Sequence, residues 1–397
     1  MASANLSADG SGNSSRRLGP SGYFDAASTL PLRPQARQAL LAALDQGFAD
    51  PHRRYHSARQ ARQLLDGARE TVAGVIGARP DEVSFATSGT QAAHLAVIGL
   101  AKGRQRQGRR MLVSAVEHSC VLHAVRAVAD ATLETVPVDE FGAVHPGSVE
   151  TYISAAGVAF VAVQSANHEV GTRQPIGEIA NLLATRDIPL FMDAAQTLGR
   201  EECPSGWSIL TASAHKWGGP AGVGILAIRN GTRWRSPLPD DPHEGGRIPG
   251  FAAIPNIVAA AVALEEAEAE RQTESARLRS LTERLRNDLT ARIPDAVALG
   301  HPTDRLPHII TLSMAYVAGE ALLEDLDREG FAVSSGSSCV ADALTPSHVL
   351  VAMGALTQGN LRISLPPGAV EADIDRFADV LPAIVARVRE SLGASDL

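Results

Sequence analysis

One lysine stands out among the residues that could do covalent chemistry. The 397-residue chain has 36 Lys and Arg residues, and only Lys102 and Lys216 are lysine. Lys216 lies in a Gly-rich turn, residues 213–220, between two apolar runs that predict strands. An amine, unlike a guanidinium, loses its proton when it is desolvated, and it can form a Schiff base. Taken alone, the turn favours a reactive amine and a surface lysine about equally.

Cys339 is the second residue of a type that could react. It lies among Ser and Gly residues before the turn at Pro346, which predicts a mobile, exposed loop. Cys120 and Cys203 have no such context, and we interpret both as core or surface fillers. The three cysteines show neither a CxxC pair nor metal-ligand spacing, which suits a reducing cytoplasm.

Polar residues also follow several of the apolar runs. His118, Asn167 and Asp193 each come directly after a predicted strand, in the part of the chain where strands and helices alternate (residues 80–230). An open parallel α/β sheet binds its ligands at the carboxyl ends of its strands, so these residues are expected to share one site. Taken singly, a histidine here could equally be a core or helix-capping residue, and an aspartate a helix N-cap.

A phosphate-binding turn is predicted at Gly89 and Thr90. They lie between a short strand and a long helix, where backbone N–H groups and the helix dipole attract an anion. A Ser-Gly-Thr sequence alone is a weak signal and is usually only a helix cap.

Several of these motifs, in this order, resemble class V aminotransferase-like enzymes, which use pyridoxal 5'-phosphate (PLP). Residues 213–220 are similar to the family's cofactor-lysine motif, and residues 334–339 resemble the active-cysteine segment of cysteine desulfurases, of the long-loop type. The resemblance runs from about residue 23 to about residue 375. It implies an α/β fold, the PLP-dependent transferase fold type I. That fold has a large domain with a mostly parallel central sheet flanked by helices, and a smaller α+β domain.

The resemblance also implies roles for individual residues. Lys216 would carry the PLP, and Asp193 would keep the pyridine nitrogen protonated so that the ring acts as an electron sink. His118 would stack on the ring and carry protons, and Gln196 would bond the ring hydroxyl. The implied cofactor-binding residues are Gly89, Thr90, His118, Asn167, Asp193, Gln196, Ser213, His215 and Lys216.

The implied reaction is the conversion of L-cysteine to L-alanine. Arg362 would clamp the substrate carboxylate, with Asn167 as a second substrate contact. Cys339 would attack the substrate sulfur and pass the resulting persulfide to an acceptor protein, either a small sulfur carrier or an iron–sulfur scaffold. A homodimer is implied as well. The alternatives are a C–S β-lyase, a selenocysteine lyase or an aminotransferase of the same fold. Cys339 discriminates against the β-lyase, which would not need it as a desulfurase does. A non-enzymatic scaffold is disfavoured.

The chain departs from the family pattern in several places. His168 replaces the second Asn of the family's Asn-Asn-Glu motif, and Gln91 and Ala93 replace other usual residues. Phe251 stands where the family has a Thr that reaches the partner subunit's cofactor phosphate, and Arg247 is displaced by one position. Phe cannot donate a hydrogen bond, so we expect that contact to be lost or made otherwise.

Composition excludes some function classes. The net charge of −8 gives no general affinity for nucleic acid or anionic membranes, and no apolar run is long enough to span a bilayer. We predict a disordered leader (residues 1–22), a large PLP-binding domain (23–256) and a small C-terminal domain with the active-cysteine loop (257–397). Two further expectations concern helices: a solvated connecting helix from residue 257 to about 289, and a kink or break at Pro382.

Overall fold

The computed structural model describes residues 17–335 and 346–394, and two sheets lie within these ranges. The strands are β1 (Val83–Ala86), β2 (Arg110–Ser114), β3 (Thr132–Val136), β4 (Val158–Ala162), β5 (Leu190–Asp193), β6 (Ile209–Ser213), β7 (Gly224–Ile228), β8 (Ala296–Leu299), β9 (Ile309–Met314) and β10 (Asn360–Ser364). The α-helices are α1 (Pro34–Gln46), α2 (His56–Val75), α3 (Gly89–Arg104), α4 (Ser119–Arg126), α5 (Pro146–Ile153), α6 (Ile176–Ala184), α7 (Ile254–Arg292), α8 (Gly319–Arg328), α9 (His348–Ala352) and α10 (Glu371–Ser391).

The larger sheet has seven strands in the order β1-β7-β6-β5-β4-β2-β3. Strand β7 runs antiparallel to its neighbours, β1 and β6, and the remaining pairs of these seven strands are parallel. All five residues of β4 are buried, as a parallel strand covered on both faces requires. The predicted mostly parallel sheet is confirmed.

Helices cover both faces of this sheet, because successive residues along one strand belong to opposite cores. In β2, Met111 and Val113 pack with residues of α3 and α4, whereas Leu112 packs with residues of α2, α6 and α7. The alternation follows from the period of two along a strand. The carboxyl ends of the strands therefore lie between two layers of helix.

The smaller sheet is antiparallel, in the order β10-β9-β8, and α8 and α10 pack on it in a separate core. The helix α7 joins the two cores. Its first part contributes Ala260 and Leu264 to the core of the large sheet, and its last part contributes Leu281 and Leu285 to the other. The expectation of a solvated connecting helix is therefore wrong. The helix's many Glu and Arg residues concealed an apolar stripe.

Two further findings concern the smaller sheet. The helix α10 is continuous from Glu371 to Ser391 with Pro382 inside it, so the helix is not divided there, although Pro382 supplies no N–H. The alternative expectation, a kink at Pro382, stays a prediction. Residues 17–22, which we placed in the leader, contact this region: Leu18 N–H donates to Pro367 O and Ser21 donates to Asp373. Residues 1–16 lie outside the described ranges, and the domain boundaries stay predictions.

A search of the described ranges for a helix long and apolar enough to cross a membrane finds none.

Candidate active site

A cavity of about 280 Å³ opens at the carboxyl ends of the large sheet's strands. Nine of the predicted site residues line it: Gly89, Thr90, His118, Asp193, Gln196, Ser213, His215, Lys216 and Arg362. They come from both sheets and from chain positions far apart, and the fold brings them to one place.

Lys216 ends a short 3₁₀ turn that follows β6, so the predicted strand–turn–strand is confirmed. Its Nζ donates hydrogen bonds to the backbone oxygens of Ala27, at 2.7 Å, and Ser28, at 2.8 Å. Carbonyl groups of the N-terminal segment thus hold the amine. Releasing the amine toward a ligand breaks two hydrogen bonds to neutral carbonyl oxygens.

Asp193 is the last residue of β5 and is enclosed by protein. Its Oδ1 accepts the Ala195 N–H at 2.9 Å, and burial raises the pKa of the carboxyl from 3.8 to about 6. A buried carboxylate is stabilised by a cationic partner, so the site favours a ligand with a protonated nitrogen. Gln196 lies one turn further on, and its Nε2 donates to Ala27 O at 2.8 Å.

His118 caps the N-terminus of α4, and its ring Nδ1 accepts the Cys120 backbone N–H at 3.2 Å. The Cys120 Sγ lies 3.0 Å from the same nitrogen. In the neutral ring the proton is therefore on Nε2. Burial, followed by the charge of Lys216, lowers the pKa of His118 to about 4. The imidazole is neutral at physiological pH.

The N-terminus of α3 adjoins the end of β6 closely. A Cβ on Gly89 would lie 2.7 Å from the Ser213 Cβ, so only glycine permits this approach. The Ser88 hydroxyl caps the helix by accepting the Gln91 N–H at 3.0 Å, and the Gln91 side chain bonds back to Thr87. The first turn of α3 and the hydroxyl of Ser213 together offer donors to an anion.

Arg362 lies in β10 and is almost fully buried, 4 % exposed. Its guanidinium donates to the His168 backbone oxygen at 3.0 Å, to Asp25 Oδ1 at 2.9 Å and to Ser28 Oγ at 2.6 Å. Its Nε has no hydrogen-bond partner among the residues that the structure describes. The guanidinium is thus fixed in orientation and retains an unused donor, and Arg362 lines the cavity.

Within the described ranges, Asn167 is the predicted site residue that does not line the cavity. Its Oδ1 accepts the N–H groups of Glu169 and Val170, and its Nδ2 donates to Val116 O, so the amide shapes the turn after β4. The next residue, His168, lines the cavity instead, and burial lowers its pKa well below 6.5. The predicted contacts of Asn167 with cofactor and substrate stay predictions.

Two glutamates lie buried beside the cavity. Glu117 accepts the Gln164 N–H at 2.5 Å, and burial raises its pKa to about 8. Glu169 accepts the Ser347 hydroxyl at 2.6 Å, and burial raises its pKa to about 7. Glu117 is held by the backbone of Gln164, which lines the cavity, and Glu169 by Ser347, which does not. Both carboxyls act on the polarity and shape of the cavity.

Cys339 lies outside the described residues, but the chain on either side of it is placed. Before it, Ser334 pairs its backbone with that of Arg362, at 3.2 and 2.6 Å. After it, Ser347 bonds Glu169, and the His348 Nε2–H donates to Glu117 O at 2.8 Å. The described residues on both sides of the Cys339 segment therefore adjoin the cavity.

Sequence reasoning missed some residues of the site. Cys120, interpreted as a filler, lines the cavity next to His118, and Gln164 lines it directly after β4. Both had a usable signal, since each lies beside a strand end or a helix N-terminus. The contact of Arg362 with Asp25 and Ser28 had none, because it joins distant parts of the chain.

Arg247 and Phe251, the departures in the long loop, do not line this cavity. Arg247 donates to Asp81 O at 3.0 Å and to Ser84 Oγ at 3.2 Å, and Phe251 is 59 % exposed. They border a separate cleft of about 450 Å³, whose described lining includes none of the predicted cofactor-binding residues.

The seven-stranded sheet, with its lysine and carboxylate at neighbouring strand ends, defines the class as PLP-dependent fold type I. Residues 22–377 match the model of the family "Aminotransferase class-V", and the chain belongs to that family. Enzymes of this family use PLP.

Known proteins resemble most of the chain. The cysteine desulfurase IscS of Dictyoglomus turgidum (strain DSM 6724 / Z-1310) is 34 % identical over 375 residues, which cover 92 % of this chain and 95 % of that protein. Among solved structures, a NifS-like protein superimposes with a TM-score of 0.84 at 26 % identity, covering 92 % of this chain and 99 % of its own. SspA, solved in complex with cysteine, gives a TM-score of 0.74 at 26 % identity, covering 88 % and 100 %.

Proposed function

We propose that this protein is a PLP-dependent cysteine desulfurase that converts L-cysteine to L-alanine and collects the sulfur on Cys339. The observation that carries the proposal is the joint placement of Lys216, Asp193 and Arg362 in one buried cavity. The similar proteins, one a cysteine desulfurase and one solved with cysteine, support the same reaction.

The residues present fit PLP. The first turn of α3, with Gly89 and Thr90, and the side chains of Ser213 and His215 would hold its phosphate. Asp193 would face the ring nitrogen, since its buried carboxylate needs a cationic partner, and Lys216 would bind the aldehyde carbon. Gln196 would bond the ring hydroxyl, and His118 would stack on the ring. PLP supplies an electron sink for the electrons released at the substrate's α carbon.

The chain's own residues then position the substrate and move protons. Arg362 binds the carboxylate of L-cysteine, with its orientation fixed by Asp25 and Ser28. The Lys216 amine takes the α-proton and returns a proton to carbon. His118 is neutral and has its Nδ1 occupied, so it exchanges protons through Nε2.

Cys339 carries out the sulfur transfer. Its thiolate forms an S–S bond with the substrate sulfur as the substrate's C–S bond breaks. The electron pair of that bond goes to carbon, which is protonated to give alanine. The persulfide passes to an acceptor protein, a small sulfur carrier or an iron–sulfur scaffold. We expect a homodimer working in the cytoplasm.

The test is to incubate the holoenzyme with L-cysteine and a reductant and to measure alanine, pyruvate and sulfide. The proposal expects alanine and sulfide in equal amounts, and loss of both in Cys339→Ala while the PLP absorbance stays. Cys203→Ala is the control, because Cys203 does not line the cavity.

Other results would contradict the proposal and identify a different reaction. Pyruvate with sulfide, unaffected by Cys339→Ala, would establish a C–S β-lyase. Activity confined to selenocysteine would establish a selenocysteine lyase. Transfer of the amino group to a keto acid, with no release of sulfide, would establish an aminotransferase.

A further inference from the structure

Glu169 contacts two parts of the molecule that have different tasks. On one side its Oε1 lies 3.6 Å from the Nε2 of His168, whose ring lines the cavity and contacts the ring of His118. On the other side its Oε2 accepts the hydroxyl of Ser347, in the chain that follows Cys339. The Glu169 side chain thus lies between the cavity and the end of the segment that carries Cys339.

The hydrogen bond from the Ser347 hydroxyl to the Glu169 carboxyl is short and buried. The oxygen atoms are 2.6 Å apart, the distance of a charge-assisted O–H···O bond. Glu169 and Ser347 are 3 % and 4 % exposed, so water does not compete for the bond. Ser347 also accepts the Leu350 N–H and caps α9. The carboxyl therefore fixes the start of the helix that follows the Cys339 segment.

Glu169 is itself held rigidly. Its backbone oxygen accepts the Thr311 hydroxyl from β9 at 2.6 Å, and its N–H donates to Asn167 Oδ1 at 2.8 Å. A movement of Ser347 relative to the cavity would have to break the bond to Glu169, because Glu169 cannot follow. The adjoining bond of His348 to Glu117 O gives the same stretch a second attachment.

We propose that Glu169 is a positioning residue for sulfur transfer, which fixes the end of the Cys339 segment relative to the bound substrate through Ser347. The inference rests on the proposed function. It gives Glu169 and Ser347 a part in the step made by Cys339 and none in substrate binding. Substrate binding is proposed for Arg362, which pairs with Ser334 before the Cys339 segment.

The experiment compares single variants of the holoenzyme in alanine formation from L-cysteine. Ser347→Gly removes the hydroxyl and, as a helix cap, costs little. We expect it to lower kcat about tenfold with KM unchanged within twofold, and to speed hydrogen exchange in residues 347–352. Ser347→Thr, which restores a hydroxyl, should recover most of kcat. The matched control is Ser313→Ala, which removes the hydroxyl bond of a buried serine of β9 to Leu356 O and should leave kcat unchanged.

Glu169→Ala removes the acceptor itself and should lower kcat at least as much as Ser347→Gly, and the double variant should add little. A kcat of Ser347→Gly within twofold of wild type would overturn the proposal, and so would a rise in KM that accounts for the whole loss. Failure of Ser347→Thr to recover activity would do the same. If the wild type forms no alanine, the proposed function fails, and this inference fails with it.

Discussion

Three carboxyl groups lie buried at or beside the cavity, and burial raises the pKa of each: Glu117 to about 8, Glu169 to about 7 and Asp193 to about 6. A raised carboxyl pKa means that the folded protein binds the proton more tightly than the unfolded chain. The stability of the cofactor-free protein therefore decreases as the pH rises from the unfolded pKa to the folded one. The buried carboxylates therefore destabilise the cofactor-free protein until a bound ligand compensates for their charges.

Asp193→Asn should accordingly change activity and stability in opposite directions. The amide cannot hold a ring nitrogen in its protonated form, so we expect alanine formation to fall about 100-fold, or roughly 3 kcal/mol of barrier. In the cofactor-free protein the same change removes a buried charge. It should raise the free energy of unfolding at pH 8 by roughly 3 kcal/mol and have little effect near pH 4.

The measurements are alanine formation by the holoenzyme and urea unfolding of the cofactor-free protein at both pH values. Asp327→Asn is the control, because that side chain is exposed in α8 and makes no ion pair with a residue that the structure describes. A stabilisation of equal size at pH 4 and pH 8 would show that charge is not the cause.

Among the elements, the start of α3 is the part whose geometry the site depends on most directly. Gly89→Ala would place a Cβ 2.7 Å from the Ser213 Cβ and push the helix away from β6. We expect the dissociation constant of PLP to rise at least tenfold, measured by absorbance titration. Gly67→Ala, in the middle of α2, is the control, because no described atom lies within 4 Å of the new Cβ. It should leave PLP binding unchanged and raise stability by about 0.5–1 kcal/mol.

Helices and strands with a strong local sequence pattern could be predicted from the sequence. The apolar runs predicted β4 and β5, and Asp193, the last residue of β5, lines the cavity because parallel strands end at the same edge.

The rest depended on information that no local pattern carries. The packing of α7 against two cores is set by which of its faces meets other elements, and its composition alone suggested a solvated helix. Whether Asn167 or His168 lines the cavity depends on the conformation of the turn after β4. The bond of Arg362 to Asp25 joins residues 337 positions apart, which spacing cannot reveal.

At the scale of the whole molecule, one surface is unusually apolar. Leu41 and Leu44 of α1 and Phe48 just after it follow helical spacing, and each is at least half exposed. An exposed apolar face of this kind is typical of an interface, which supports the homodimer proposed above.

We therefore expect the protein to sediment as a dimer at micromolar concentration, and Leu44→Asp to shift it toward the monomer at least tenfold in dissociation constant. Leu392→Asp is the control, because Leu392 is a comparably exposed leucine at the end of α10. A wild-type monomer, or an equal effect of both substitutions, would contradict the assignment of this face.

The bond between Asp25 and Arg362 also sets an order in time. During synthesis Asp25 leaves the ribosome early and Arg362 late, since 337 positions separate them, and the carbonyl groups that hold Lys216 belong to the same early segment. A nascent chain that has finished the large sheet but not β10 has its lysine and lacks the arginine that we propose binds the substrate carboxylate. Lys216 is thus made long before Arg362, and β10 must be translated before the two residues can work together.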